Sequence, residues 1–161
     1  MKSIVVTGSS GFIGGYVVEE LLANGWKVTG VDNFSKYGRV EKSYDKHPNY
    51  RLIEGDVKNV GFMKEVVAGH QHLLAGAAMI GGISYFHEYA YDLIAENERI
   101  IAATFDAAID AHKRGTLEKI TVLSSSMVFE STTQYPTPEG AELSSPPPLS
   151  TYGFQKLSCE Y

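Results

Sequence analysis

Tyr152 and Lys156 stand four residues apart in the segment Tyr152-Gly153-Phe154-Gln155-Lys156. If that segment is helical, both side chains share one face. A phenol beside an ammonium is an acid/base group with its own tuner. A free tyrosine has a pKa near 10, so proton transfer near pH 7 asks for a shift of about three units, or ~4 kcal/mol. One neighbouring cation supplies roughly one to three units, so Lys156 does best with a second positive charge nearby. The spacing also describes an ordinary surface pair on a helix. It gains weight from a glycine-rich segment about 140 residues upstream.

That segment is Thr7-Gly8-Ser9-Ser10-Gly11-Phe12-Ile13-Gly14. It lies between a strand-type run and an apolar helical pattern, the context a dinucleotide fingerprint requires. Gly8 permits the tight turn, Gly11 lets a pyrophosphate approach the backbone, and Gly14 lets the helix pack close. Free N–H groups and the helix dipole then favour an anion. The pyrophosphate is expected on the amides of residues 10–12, with Gly8, Ser10, Gly11, Phe12, Ile13 and Gly14 lining the cofactor. Asp32 ends the next strand pattern and is placed to accept hydrogen bonds from the adenosine ribose, with Asn33 beside it. A carboxylate there repels a 2′-phosphate and argues for NAD over NADP. Lys36 and Arg39 pull the other way. Asp56-Val57 ends a third strand pattern. Either it borders the adenine or Asp56 caps the helix that follows.

The elements that must position these groups alternate. Strand patterns cover 4–7, 27–32, 50–54, 72–78 and 119–124. Helical patterns cover 12–23, 58–68 and 84–112, the last with a break near its start, and a final helix starts near Ser150. In the first helix Phe12, Ile13, Val17, Val18, Leu21 and Leu22 form the apolar set, with Glu19 and Glu20 opposite. Residues 33–49 read as loop with room for a short helix. Residues 130–148 hold five of the six prolines and read as loop. Alternation of this kind predicts an α/β fold, a doubly wound parallel sheet of Rossmann type with right-handed crossovers. In the strand order 3-2-1-4-5 the nucleotide sits across the carboxyl ends of the first and fourth strands.

The 161 residues make about one domain. With 43% hydrophobic and 20% charged residues, the chain is neither disordered nor a coiled coil. A net charge of −5 leaves no cation excess for general nucleic-acid binding. No apolar run approaches the roughly 20 residues a bilayer needs. Only three apolar residues follow Lys2 before Thr7, too few for a signal-peptide core. The single cysteine, Cys159, excludes an internal disulfide and fits a reducing compartment. A cytoplasmic protein is expected. His47, His70, His72, His87 and His112 form no metal-ligand pattern, and no metal is expected.

Taken together, residues 7–14, Asp32, Asp56, Ala77-Ala78, Asn97, Ser124-Ser125-Ser126 and Tyr152…Lys156 resemble the extended short-chain dehydrogenase/reductase family, in its nucleotide-sugar epimerase/dehydratase branch. The resemblance spans nearly the whole chain. It implies that Ser125 hydrogen-bonds the reacting sugar oxygen and that Tyr152 is the acid/base. It implies that Lys156 holds the ribose and tunes Tyr152, that Ala77 and Ala78 line the cofactor, and that Asn97 is mainly structural. Dehydratases of this branch place an Asp-Glu pair where this chain has Ser126-Met127, and a methionine cannot move a proton. Chemistry needing only Ser125, Tyr152 and NAD remains: oxidation of one sugar carbinol, rotation of the ketone and return of hydride, which is 4-epimerisation. The other readings are a reductase or dehydratase on the same scaffold and a dinucleotide-binding sensor. The family continues into further strands and a C-terminal substrate-binding region. Residues 1–161 are therefore expected to be the NAD-binding domain of a longer, homodimeric enzyme, cut before that region.

Overall fold

In the computed structural model, which describes residues 2–161 apart from the side chains of Ile83 and His87, the chain forms two compact units. One runs up to Ala77 and includes Ile100–Leu123; the other holds Ala78–Arg99 and Ser124–Tyr161.

The first unit carries the sheet. Its strands are β1 (Ser3–Thr7), β2 (Lys27–Asp32), β3 (Tyr50–Glu54), β4 (His72–Ala75) and β5 (Lys119–Val122). They pair in parallel in the order β3-β2-β1-β4-β5, as the alternating pattern predicts. Both faces are covered, which is why the inner strands β1, β2 and β4 bury apolar residues on both faces. On one face Val5, Val31 and Leu73 pack with Met63, Val66 and Val67 of α2 (Val60–Val67) and Ala107, Ala108 and Ala111 of α4 (Ala90–Lys113). On the other, Ile4, Val6 and Val28 pack with Val18 and Leu22 of α1 (Phe12–Ala23) and with Tyr44. Each fully buried valine is worth roughly 1.5–3 kcal/mol. Helix α1 stops at Asn24, where Gly25 takes φ +76° and donates its N–H to Leu22 O at 3.0 Å.

Several boundaries differ from the sequence reading. The inner face of α1 begins with Gly14 and Gly15, not with Phe12 and Ile13, which are 71% and 58% exposed. Strand β4 ends at Ala75 rather than residue 78, because the Gly76 and Ala77 N–H groups both turn to Thr7 Oγ1 at 3.1 Å. Strand β5 ends at Val122 rather than 124. Helix α2 is capped by Asn59, whose Oδ1 accepts the Phe62 N–H at 3.0 Å. Asp56 is thus not the cap, and no helix forms among residues 33–49.

The second unit contains α3 (Ile83–Glu88), the start of α4, a 3-10 helix (Ser126–Phe129), a second one (Ala141–Leu143) and α5 (Thr151–Glu160). The helical stretch from residue 84 breaks at Tyr89, near its start. Ser150 caps α5 by accepting the Gly153 N–H at 3.0 Å, so the expected helix start holds.

Two outcomes follow for the first unit. A Cβ at Gly14 would lie 2.0 Å from Gly8 O, a backbone atom that cannot step aside, whereas at exposed Gly61 it meets only Asn59 Oδ1 at 3.4 Å. Denaturant unfolding should show Gly14→Ala destabilised by at least ~2 kcal/mol and Gly61→Ala unchanged or stabilised by up to ~1 kcal/mol. Burial lowers the His70 pKa, with its Nε2 3.0 Å from Thr29 Oγ1. The unfolded chain then takes up the proton first, so stability is lost as pH falls through 6.5 toward the lowered folded value. His70→Gln should flatten that part of a stability–pH profile.

Candidate functional site

The first unit builds a cradle where β1 turns into α1. Gly8 has φ +71°, and its Cβ would sit 3.0 Å from Ala77 Cα. The Gly8 N–H reaches Val31 O at 2.8 Å and the Gly11 N–H reaches Gly8 O at 3.1 Å, which folds the turn tightly. Gly11 caps α1 without a side-chain hydrogen bond, and the first turn holds no acidic residue. The amides of Phe12, Ile13 and Gly14 have no intrahelical acceptor. An anion is the group such an end accepts.

Asp32 reaches into the same turn. Its Oδ2 accepts the Ser10 N–H at 2.9 Å and its Oδ1 accepts the Phe34 N–H at 2.8 Å. The Ser10 amide is thus engaged by the carboxylate expected to meet the ribose. A carboxylate has about four lone-pair positions, so two remain for ribose hydroxyls. Asn33 Oδ1 accepts the Ser35 N–H at 3.1 Å. Asp56 Oδ1 accepts the Lys58 N–H at 2.9 Å, and its Oδ2 is 3.5 Å from Lys58 Nζ. The Val57 side chain is buried in the core. Arg39 lies over the Phe34 ring at 5.4 Å and 3.7 Å from Glu54, while Lys36 lies over Tyr37 at 5.4 Å.

Three supporting residues escaped the sequence reading. The Tyr44 hydroxyl donates to Ser9 O at 3.4 Å, bracing the cradle from residues 33–49. At Gly30 a Cβ would come 2.5 Å from the Tyr50 hydroxyl and 2.6 Å from Ser9 Oγ. A glycine inside a strand is the signal that marked this close approach.

The second unit gathers Ser125, Tyr152 and Lys156. Ser125 caps the 3-10 helix, its Oγ accepting the Met127 N–H at 3.2 Å. The same side chain acts on the Tyr152 phenol, drawing its pKa down. The Tyr152 ring is buried and stacks on Phe86, centroids 4.9 Å apart and 14° from parallel. Lys156 is also buried, with Nζ 5.8 Å from the centre of the Tyr152 ring. Gly153 lets α5 touch the 3-10 helix, since a Cβ there would lie 2.6 Å from Met127 O. Thr151 Oγ1 donates to Ala90 O at 2.7 Å. Asn97 clamps the Met79 peptide on both sides, accepting its N–H at 2.7 Å and donating to its O at 2.9 Å. Ala78 follows one residue after Ala77 at half exposure.

Electrostatics here run against the sequence expectation. Burial raises the Tyr152 pKa, and the Ser125 side chain lowers it by less. Burial also lowers the Lys156 pKa, against a smaller upward push from Cys159. Both groups are driven toward neutrality because desolvation disfavours either charge. Cys159 itself is raised by burial and lies 2.9 Å from Gln155 Nε2. His87, one of the five histidines considered above, has its side chain outside the described residues.

A glycine-lined turn at an uncapped helix start, with a carboxylate at the next strand end, defines a dinucleotide-binding α/β protein. The comparisons narrow this. A family model described as the NAD dependent epimerase/dehydratase family matches residues 4–161, and the chain belongs to that family. The UDP-glucose 4-epimerase of Corynebacterium glutamicum is 30% identical over 98% of this chain and 44% of its own length. The rice UDP-glucose 4-epimerase 3 is also 30% identical, over 98% of this chain and 43% of its own. The crystal structure of the UDP-glucose 4-epimerase of Thermotoga maritima with UDP-glucose matches with a TM-score of 0.78 at 26% identity, covering 98% of this chain and 48% of that one. The chain thus spans less than half the length of these relatives. Among the described residues no helix is long and apolar enough to cross a membrane. The glycines, the uncapped helix start and Asp32 fit the family's NAD.

The Asp32 contacts make a specific outcome. Asp32→Ala frees the Ser10 and Phe34 N–H groups, so their hydrogen exchange should speed up. NAD affinity should fall and the NAD/NADP gap should narrow, as read by titration.

Proposed function

We propose that the chain is the cofactor-binding portion of an NAD-dependent nucleotide-sugar epimerase that inverts C4 of the sugar. The observation that supports this best is the buried pairing of Tyr152 with Lys156, whose Nζ lies 5.8 Å from the ring centre, in the unit where Ser125 precedes a methionine at 127. These residues can carry one proton to and from a single hydroxyl. The position that would serve a β-elimination holds a side chain with no proton to give.

In this reading Gly8, Ser10, Gly11, Phe12, Ile13 and Gly14 line the cofactor, with the pyrophosphate on the amides left open at the start of α1. Asp32 and Asn33 hold the adenosine ribose. Asp56, Val57, Ala77 and Ala78 border the remaining cofactor. NAD, when bound, supplies a hydride acceptor that later gives the hydride back. Ser125 donates a hydrogen bond to the sugar oxygen. Tyr152 takes that oxygen's proton as the carbinol is oxidised and returns it after the ketone has turned over. Lys156 binds the nicotinamide ribose and supplies the positive charge that a tyrosinate in a buried setting requires. The working enzyme is a cytoplasmic homodimer in the same proposal.

The test is interconversion of UDP-galactose and UDP-glucose by the purified enzyme, followed by proton NMR. Inversion without accumulation of reduced cofactor is the expected result. A 4-keto-6-deoxy product or steady cofactor consumption would overturn it. Tyr152→Phe should lower kcat by roughly 10²–10⁴ while NAD still binds. Lys156→Met should weaken both.

A further inference from the structure

We propose that Glu130 is a positioning residue for Tyr152: by accepting the Ser150 N–H it fixes where α5 begins and so sets the place of Tyr152 two residues further on. The inference rests on the reading of Tyr152 as the acid/base.

Ser125 and Glu130 flank the same short 3-10 helix, one at each end. Glu130 reaches the start of the helix that carries Tyr152, its Oε2 accepting the Ser150 N–H at 2.8 Å. One short turn thus meets α5 at two points, the second being the backbone contact of Met127 O with Gly153. One residue inward, Ser131 Oγ donates to Pro147 O at 3.0 Å. The two hydrogen bonds close the neck of the proline-rich loop directly before Tyr152.

The bond to Ser150 is charge-assisted, and a carboxylate at a helix N-terminus is favoured by the dipole. Its solvent exposure keeps its contribution to stability small. Its value lies in register. Losing it lets the first turn of α5 shift, and shifts of an ångström at a reacting group cost up to about 10²-fold in rate. The groups facing Tyr152 are Ser125, Lys156 on α5 and the uncharged Phe86 on α3. Of these, Ser125 is the one that lowers the phenol pKa, so a loosened register shows up as a higher Tyr152 pKa.

The experiment titrates Tyr152 by the ultraviolet difference between each protein and its Tyr152→Phe counterpart. Glu130→Ala should ionise Tyr152 at higher pH than the unmutated enzyme and lower kcat on UDP-galactose by about tenfold. KM and NAD affinity should hold. Glu130→Gln keeps an oxygen acceptor and should restore both readouts, which a general loss of stability would not discriminate. If Glu130→Ala does not fold, Glu130→Asp, one methylene too short to reach, should give the same upward shift. An unchanged Tyr152 titration in the variants that shorten or remove the acceptor overturns the proposal, as does a Gln variant that behaves like Ala. Full turnover by Tyr152→Phe would instead overturn the acid/base reading, and the titration would still decide the role of Glu130.

Discussion

The closest constraint in the first unit is the approach of α1 to the turn that precedes it. Gly14 sits against the Gly8 carbonyl with no room for a single methyl group. That closeness has two consequences. It seats the inner face of α1 on β1 and β2 through Gly14, Gly15, Val18 and Leu22. It also brings the helix start down onto the carboxyl end of β1, where the turn's own amides and the helix dipole act together. A side chain at either position would push the helix outward. The packing that covers one sheet face and the anion cradle are therefore the same contact.

Much of this was legible in the sequence because glycine spacing and strand alternation are local signals. Crossover handedness alone leaves more than one doubly wound order open, and the glycine-rich turn after the first strand is what points to the 3-2-1-4-5 order of the dinucleotide-binding fold. What was misread follows the same logic in reverse. Phe12 and Ile13 look like the start of an apolar face, yet the inner positions belong to glycines, which carry no hydrophobic signal. Asp56 looked like a cap because it precedes the helix, but Asn59 lies closer and takes the Phe62 amide. Strand β4 reads as apolar to residue 78, and only the Thr7 hydroxyl, nearly 70 positions away, ends it sooner. A contact of that separation leaves no trace in a window of a dozen residues.

In the second unit only the Tyr152–Lys156 pair was legible by spacing. Tyr152 and Lys156 share a helix face, and Ser150 caps that helix. The partners that give the group its geometry are not adjacent in sequence. Phe86 stacks on the phenol, Thr151 reaches Ala90, and Glu130 reaches Ser150. Each belongs to a residue type that is unremarkable where it stands. The Asn97–Met79 clamp is similar: the asparagine is visible, but its partner is a peptide group that any residue could provide.

Burial shapes the chemistry of Tyr152 and Lys156 more than their proximity does. An ammonium beside a phenol in water would pull the phenol pKa down. Here the ammonium lies over the ring face and both groups are desolvated, so the phenol is raised and the amine lowered. Desolvation thus works against charge on both groups. Moving a proton off Tyr152 then creates a phenolate in an apolar pocket against Phe86. That is favourable only if positive charge arrives with it, by Lys156 staying protonated or by a second cation nearby. The Ser125 side chain adds to this by favouring the ionised phenol. Under the proposed acid/base role, a bound positive charge would complete the group, which would tie proton transfer to ligand occupancy.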